Sequence, residues 1–289
     1  MSQSSAQQIV KKLQSLGVRQ DKIAQDHLML CYAELKRIKS APDFKSAKAI
    51  LVKMSDKIKY DSAEIVGVII ETRCHPALEK IVSIFASHLN IPIQIFHGLS
   101  NRNYILNTEI KQLVDKGKVC LSELPTENLQ AKTYNALFLS ERFWSFMMGR
   151  RKVLVFQTDA ICCPNSDYRL NEFLSFDYIG SLWPQERPVG LLMNGGVGGL
   201  SLRDWKKSVD CLKRFSPVLW PGGEDGYFSF HLEIMGAKVA NREECAKFST
   251  QYLFLERSFG AHHISCLSDI DKKSFLKYCP EAKVLLKSN

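Results

Sequence analysis

Between residues 65 and 159, short apolar runs alternate with stretches of helical periodicity, and this alternation limits the fold more than any other feature of the chain. The runs are IVGVIIETR (residues 65–73), IPIQIF (91–96), VCLSEL (119–124) and VLVFQTD (153–159). Their length is that of buried strands, and three of them are rich in β-branched residues. Residues 76–89, 106–114 and 134–148 repeat apolar side chains at helical spacing between them, and Pro76 suits a helix start. Strands alternating with helices predict a largely parallel sheet with right-handed crossovers. The expected fold class is therefore α/β, a mixed and mainly parallel Rossmann-type sheet with flanking helices. Beyond residue 159 the texture is mixed: a short strand FDYIG (176–180), a glycine-rich turn NGGVGGLSLR (194–203), a helix from Arg203, another from Glu224, and an irregular end.

The first 60 residues differ in kind. Ile9, Leu13 and Leu16 share one helical face, Ile23, His27, Leu30, Ala33 and Leu35 sustain a second helix, and Ala47, Ile50, Leu51 and Met54 mark a third over residues 44–58. No strand signal precedes Glu64. This part holds 12 Lys/Arg against 5 Asp/Glu, so an excess of seven positive charges out of the chain's nine lies in about a fifth of its length. The expected organisation is a basic helical extension, 1–60, followed by one catalytic α/β domain, 61–289. A basic surface attracts an anionic membrane face or an acidic partner through salt-screened forces; a helical cap packed on the sheet is the other reading. Nucleic acid is disfavoured as a partner, because only Tyr32, Phe44 and Tyr60 interleave with these basic residues.

No run reaches the roughly 20 apolar residues of a membrane span, and the N-terminus lacks a secretory pattern. Nine scattered cysteines without a CxxC give neither a disulfide framework nor a zinc motif. A reduced, cytoplasmic protein is expected, possible contact with a membrane being peripheral.

Candidate chemistry gathers where strands end. The run of residues 153–156 stops at Gln157, Thr158 and Asp159, which places a carboxylate at a strand's C-terminal tip, where open α/β sheets bind ligands. Such an Asp can hold a hard divalent ion against phosphate oxygens, or simply cap a turn. Glu71 and Arg73 close the first strand beside the same mouth. The glycine segment is no Walker loop, since no Lys-Ser or Lys-Thr follows, but it offers bare backbone to a sugar or phosphate at Gly198 and Gly199. Arg203 at its end can pair with a carboxylate or start a helix. Glu224 and Asp225 open a helix, where the dipole stabilises anions, and either can cap it or act as a general base. His262-His263 can offer an imidazole to a metal or a diphosphate.

Taken in order, VIIETR with His75-Pro76, the IFHG turn with Asn101, YNALFLSERFW, VLVFQTD, FDYIGSLW, GVGGLSLR, GEDGYF and SFGAH resemble a domain family of unknown function with features of the GT-A type of glycosyltransferase. The resemblance spans about residues 64–263 and leaves out the basic helices and the tail. It implies a nucleotide-sugar fold in which QTD stands where related enzymes carry Asp-x-Asp, so that Asp159 keeps the metal-binding position and Gln157 departs from the pattern. Val197 is a second departure, standing where Asn is expected. The implied roles are a divalent ion (Mn2+ or Mg2+) on Asp159 and His262, and a UDP- or GDP-sugar donor at Glu71, Thr72, Arg73, Gln157, Thr158 and Asp159. Gly198, Gly199 and Arg203 would face the sugar and a glycan acceptor. Asp225, or Glu224 as second choice, would be the base of an inverting transfer to a hydroxyl. Nucleotidyl transfer, sugar-nucleotide hydrolysis, a non-catalytic glycan- or nucleotide-binding member and a basic nucleic-acid-binding protein are the alternatives.

Overall fold

The computed structural model describes residues 3–55, 64–149, 151–184 and 189–286. The N-terminal part contains α1 (Ser5–Ser15), α2 (Met29–Ala33) and α3 (Phe44–Lys53). The alternating region follows as β1 (Ile65–Glu71), α4 (Leu78–Leu89), β2 (Ile93–His97), α5 (Arg102–Leu106), α6 (Ile110–Asp115), β3 (Val119–Glu123), α7 (Ala131–Phe138), α8 (Glu141–Ser145) and β4 (Lys152–Phe156). The remainder supplies β5 (Ala160–Cys162), β6 (Tyr178–Ser181), β7 (Val197–Asp204), α9 (Trp205–Arg214), α10 (Glu224–Ile234), α11 (Arg242–Phe248), β8 (Ser249–Thr250), β9 (Gly260–His262) and α12 (Asp269–Tyr278).

The main sheet has the order β3-β2-β1-β4-β7-β6. β3, β2, β1 and β4 run parallel, while β7 lies antiparallel to both β4 and β6. The chain steps outward from β1 to β3, then returns to lay β4 on the other side of β1. That reversal makes the C-terminal ends of β1 and β4 the topological switch point of the sheet, the place where such sheets take ligands. The expected mixed, mainly parallel α/β architecture is therefore what the chain adopts.

Both faces of the sheet are covered, which is why its strands read as nearly continuous apolar runs. Ile69, Leu154 and Phe156 face α4, where Phe85 stacks on Phe156 at 4.0 Å. Val66, Val68, Val153 and Val155 face the opposite core, and Ala6, Val10, Ile23, Leu28, Ala47, Ile50 and Leu51 are buried in that same core. The N-terminal helices thus join that core from outside, α1 against α10 and α3 against α7. Ser4 caps α1 and donates to Glu233 of α10 at 2.7 Å, and Ser5 N–H donates to Leu192 O at 2.7 Å. Among the described residues no helix is long and apolar enough to cross a membrane.

Several elements differ from the sequence reading. The second N-terminal helix is two 3-10 turns, Gln20–Lys22 and Gln25–Leu28, running into the short α2, because only Ile23 and Leu28 are fully buried there and Leu30 is 87% exposed. The third ends at Lys53, and the rest of the expected span beyond residue 55 lies outside the described residues. Residues 106–114 split at Thr108, whose Oγ1 donates to Ile105 O and accepts from Ile110 N–H. Residues 134–148 split between α7 and α8 at Leu139-Ser140. The glycine segment is a turn only through Gly196. From Val197 it is β7, an interior strand of the sheet, and the helix after it starts at Trp205, capped by Asp204 accepting from Lys207 N–H at 2.9 Å. The tail is ordered by α12 and a 3-10 stretch, Pro280–Leu286.

Candidate active site

β7 starts where β4 ends. Phe156 pairs with Leu200, and Gln157 N–H donates to Gly199 O at 3.0 Å. Asp159 follows two residues on and is held from the small second sheet, β5-β9-β8. There Ala160 lies opposite His262, so His262 at the end of β9 and His263 just after it close over the Asp159 carboxylate. His262 Nε2 stands 3.3 Å from Oδ1, and His263 Nδ1 is 3.1 Å from Oδ2. Burial alone would raise the Asp159 pKa; the two imidazoles outweigh it and hold the carboxyl well below the usual carboxylate range. His262 Nδ1 faces Gln251 Oε1 at 3.0 Å. Since a side-chain amide oxygen only accepts, Nδ1 donates to Gln251, and Nε2 is turned toward Asp159.

At the end of β1, Glu71 is 5% and Thr72 3% exposed. Glu71 takes both Nε (2.9 Å) and a terminal nitrogen (2.8 Å) of Arg73, and Asn101 braces the loop by donating to Glu71 O and Arg73 O. The carboxylate is consumed in positioning Arg73, whose side chain is 62% exposed. The guanidinium pKa is raised, chiefly by its bonds to Glu71 and also by the charge of Asp159. Of the expected trio, Arg73 is the member that can meet a ligand; Glu71 and Thr72 act behind it. Thr158 is likewise buried, and Gln157 is half-buried.

The glycines and Arg203 correct the sequence reading most sharply. Arg203 is fully buried and forms a two-pronged pair with Glu224, at 2.5 and 2.9 Å. Phe138, Tyr178 and Phe228 enclose its guanidinium, with ring centroids 4.8–5.7 Å away. Burial pushes the Glu224 carboxyl up, and Arg203 offsets that only in part. Neither side chain is open to a substrate, so Arg203 touches no sugar and Glu224 is no base. Gly198 and Gly199 are also filled from within. A Cβ on Gly198 would press on Glu224, Arg203 and Asp225, and one on Gly199 would overlap the His262 ring. Their bare backbone admits the protein's own groups.

Asp225, next to Glu224, turns the other way. Its Oδ1 accepts from Gly226 N–H at 2.7 Å and its Oδ2 from Gly198 N–H at 3.2 Å. Burial raises its pKa; these two amides, Arg203 and His262 oppose that only in part. Asp225 lines a cavity of about 240 Å³ with Trp183, Trp220, Tyr252 and Asn135, and the N-terminal residues Ile38 and Ser40 complete its wall. The aromatic wall was missed in the sequence. Trp183 within FDYIGSLW and Trp220 just ahead of the Gly222-Gly223 pair were its visible signals. Gln251, which orients His262, stands in no motif and gave no signal.

Sequence comparison places this chain in a family. A family model described as a protein of unknown function, DUF5672, matches residues 118–262. The chain belongs to that family. The match begins at β3 and ends at His262, so it takes in the QTD, GGLSLR and GED pieces and leaves out VIIETR. No curated protein resembles the chain significantly in sequence. Among solved structures, it is similar to a Bacillus anthracis protein assigned as a glucose-1-phosphate thymidylyltransferase, in complex with sucrose (15% identity, TM-score 0.35, 61% of this chain and 86% of that one). It is also similar to TarS of S. aureus (12%, 0.39, 62% and 34%) and to the inositol-1-phosphate CTP transferase of T. maritima (11%, 0.36, 78% and 98%). At this distance the site is read from this DUF5672 member's own residues.

Proposed function

We propose that this DUF5672 protein is a glycosyltransferase that moves a sugar from a nucleotide-sugar donor to an acceptor hydroxyl with inversion. One observation carries the reading: consecutive glycines at the start of β7 let two different chemistries meet at one strand tip. Gly199 admits His262, which holds Asp159 at the switch point, and Gly198 admits Asp225, which faces the aromatic cavity. Successive residues of a strand face opposite sides, so the strand tip separates a donor side from an acceptor side.

On the donor side, Arg73 offers a guanidinium fork suited to phosphate oxygens, and Glu71 and Asn101 fix its direction. Asp159 and His262 supply a carboxylate and an imidazole that suit part of a divalent cation's donor set, with substrate oxygens needed to complete it. Among the described residues no cluster of three or more such side chains is arranged to hold an ion unaided. Mn2+ or Mg2+ held there would neutralise the charge of a leaving diphosphate. On the acceptor side, indole and phenol surfaces suit the apolar face of a sugar ring. Asp225 is the base: desolvation makes its carboxylate a better proton acceptor than a solvent-exposed one, and the amides of Gly198 and Gly226 aim it.

The test is thermal stabilisation and product analysis over a panel of UDP- and GDP-sugars with manganese, on wild type and Asp159→Asn. Stabilisation by one donor that weakens in the variant, with a glycoside of inverted configuration as product, supports the reading. A nucleotide-sugar formed from sugar phosphate and nucleoside triphosphate would replace it with nucleotidyl transfer.

A further inference from the structure

The wall of the cavity beside Asp225 is built in part by the most basic section of the chain. Residues 36–40 run along it: Lys36 N–H donates to Val189 O, Ile38 N–H to Pro221 O, and Asn135 donates to Ser40 O at 2.6 Å. Ile38 and Ser40 line the cavity itself. Lys36, Arg37 and Lys39, interleaved with them, are exposed, and among the described residues none of the three makes an ion pair. Three exposed cations so close in sequence make the outside of this wall positive, which favours an anion beside it. Asp225 lies within the cavity, so an anionic group would be repelled from its floor and favoured at the rim.

We propose that the acceptor bound in this cavity carries an anionic substituent, a phosphate ester or a carboxylate, next to the sugar ring that faces Trp183 and Trp220, and that Lys36, Arg37 and Lys39 receive it. This rests on reading the cavity as the acceptor site. It assigns the N-terminal basic excess a role in substrate choice: the cations select charged acceptors, while the aromatic wall accepts the ring. A phosphate suits them through point charges and a guanidinium fork, and a carboxylate through the same fork.

Tryptophan fluorescence of the full chain reads occupancy directly, because two of the four tryptophans line the cavity. The probes are glucose, glucose 6-phosphate and glucuronic acid, titrated at 50 and 500 mM salt. Either charged sugar should bind about tenfold more tightly than glucose at low salt, and screening should remove most of that advantage at high salt. A variant with Lys36→Gln, Arg37→Gln and Lys39→Gln, all surface positions, should lose the advantage and keep its affinity for glucose. Preference for one charged sugar over the other identifies the anion. Equal binding of glucose and both charged sugars to wild type overturns the proposal and leaves the acceptor-site reading standing, as does an advantage that survives in the variant. No fluorescence response to any of the three overturns both.

Discussion

Asp225 and Glu224 are neighbours in sequence with opposite fates, and the reason is which backbone each one meets. Glu224 turns inward to Arg203, a pair with 0% and 3% side-chain exposure, whereas Asp225 turns to the amide of Gly198 and the cavity. Asp225→Asn should therefore lower kcat by about 10²–10⁴-fold, the usual contribution of a positioned base, with donor binding retained. Burial raises the Asp225 pKa, so the base becomes protonated, and transfer slows, at a higher pH than for an exposed aspartate. The acid limb of the kcat profile should lie above the ordinary value of about 3.9, with rates level at higher pH; a limb at or below that value contradicts the assignment. Arg203→Met should behave quite differently. It leaves Glu224 buried without its partner and should cost about 3–5 kcal/mol in denaturant melts. Gly199→Ala joins the two kinds of effect: its methyl displaces the His262 ring, and a donor-binding defect larger than its stability loss is expected from parallel binding and melting curves.

Strands and helices explain why these residues converge. β4 and β7 pair so that the end of one is the start of the other, and β9 brings His262 level with Ala160. The strand at residues 65–71, the opening of α4 close behind Pro76 and the helix at Glu224 were legible from periodicity and capping, because local sequence dominates there. The strand character of residues 197–204 was not. Glycines ordinarily weaken a strand, and here Gly198 and Gly199 are kept in one because α10 and β9 press side chains against it. The helical period assigned around residues 23–35 failed for a related reason: Ile23 and Leu28 are anchored by tertiary contact, and Arg214 ties the backbone by donating to Ile23 O and Gln20 O. Leu28→Ala, which empties a fully buried position, should cost about 2–5 kcal/mol in thermal or chemical melts, despite lying in a segment with little regular helix.

At the scale of the whole molecule, the division into residues 1–60 and 61–289 does not correspond to two cores. Tyr32 bonds His231 within α10, and burial drives the His231 pKa down to about 3, so that ring is a neutral strut between the two parts. Removing residues 3–55 would bare the apolar surfaces of α10 and α7 that α1 and α3 cover. We expect the truncated chain to be insoluble or molten, and the full chain to lose helical circular dichroism and tryptophan fluorescence in one coincident transition. A separate early loss of helix signal would show that the N-terminal part unfolds alone.

What the sequence alone determined is the α/β class, the parallel strand series, and the position of Asp159 just past a strand end and of Asp225 in the first turn of a helix, because strand length, helical period and abrupt apolar-to-polar endings are local signals. Only the tertiary structure decided which acidic and basic residues are spent on one another. Arg203 with Glu224 and Glu71 with Arg73 are pairs set by register and burial, and no spacing in the chain reports them. It also decided that the basic N-terminal segment belongs to the wall of a cavity, since that contact joins residues some 180 positions apart, such as Ile38 and Pro221. Long-range packing of this kind depends on how faces meet, which a linear pattern does not encode.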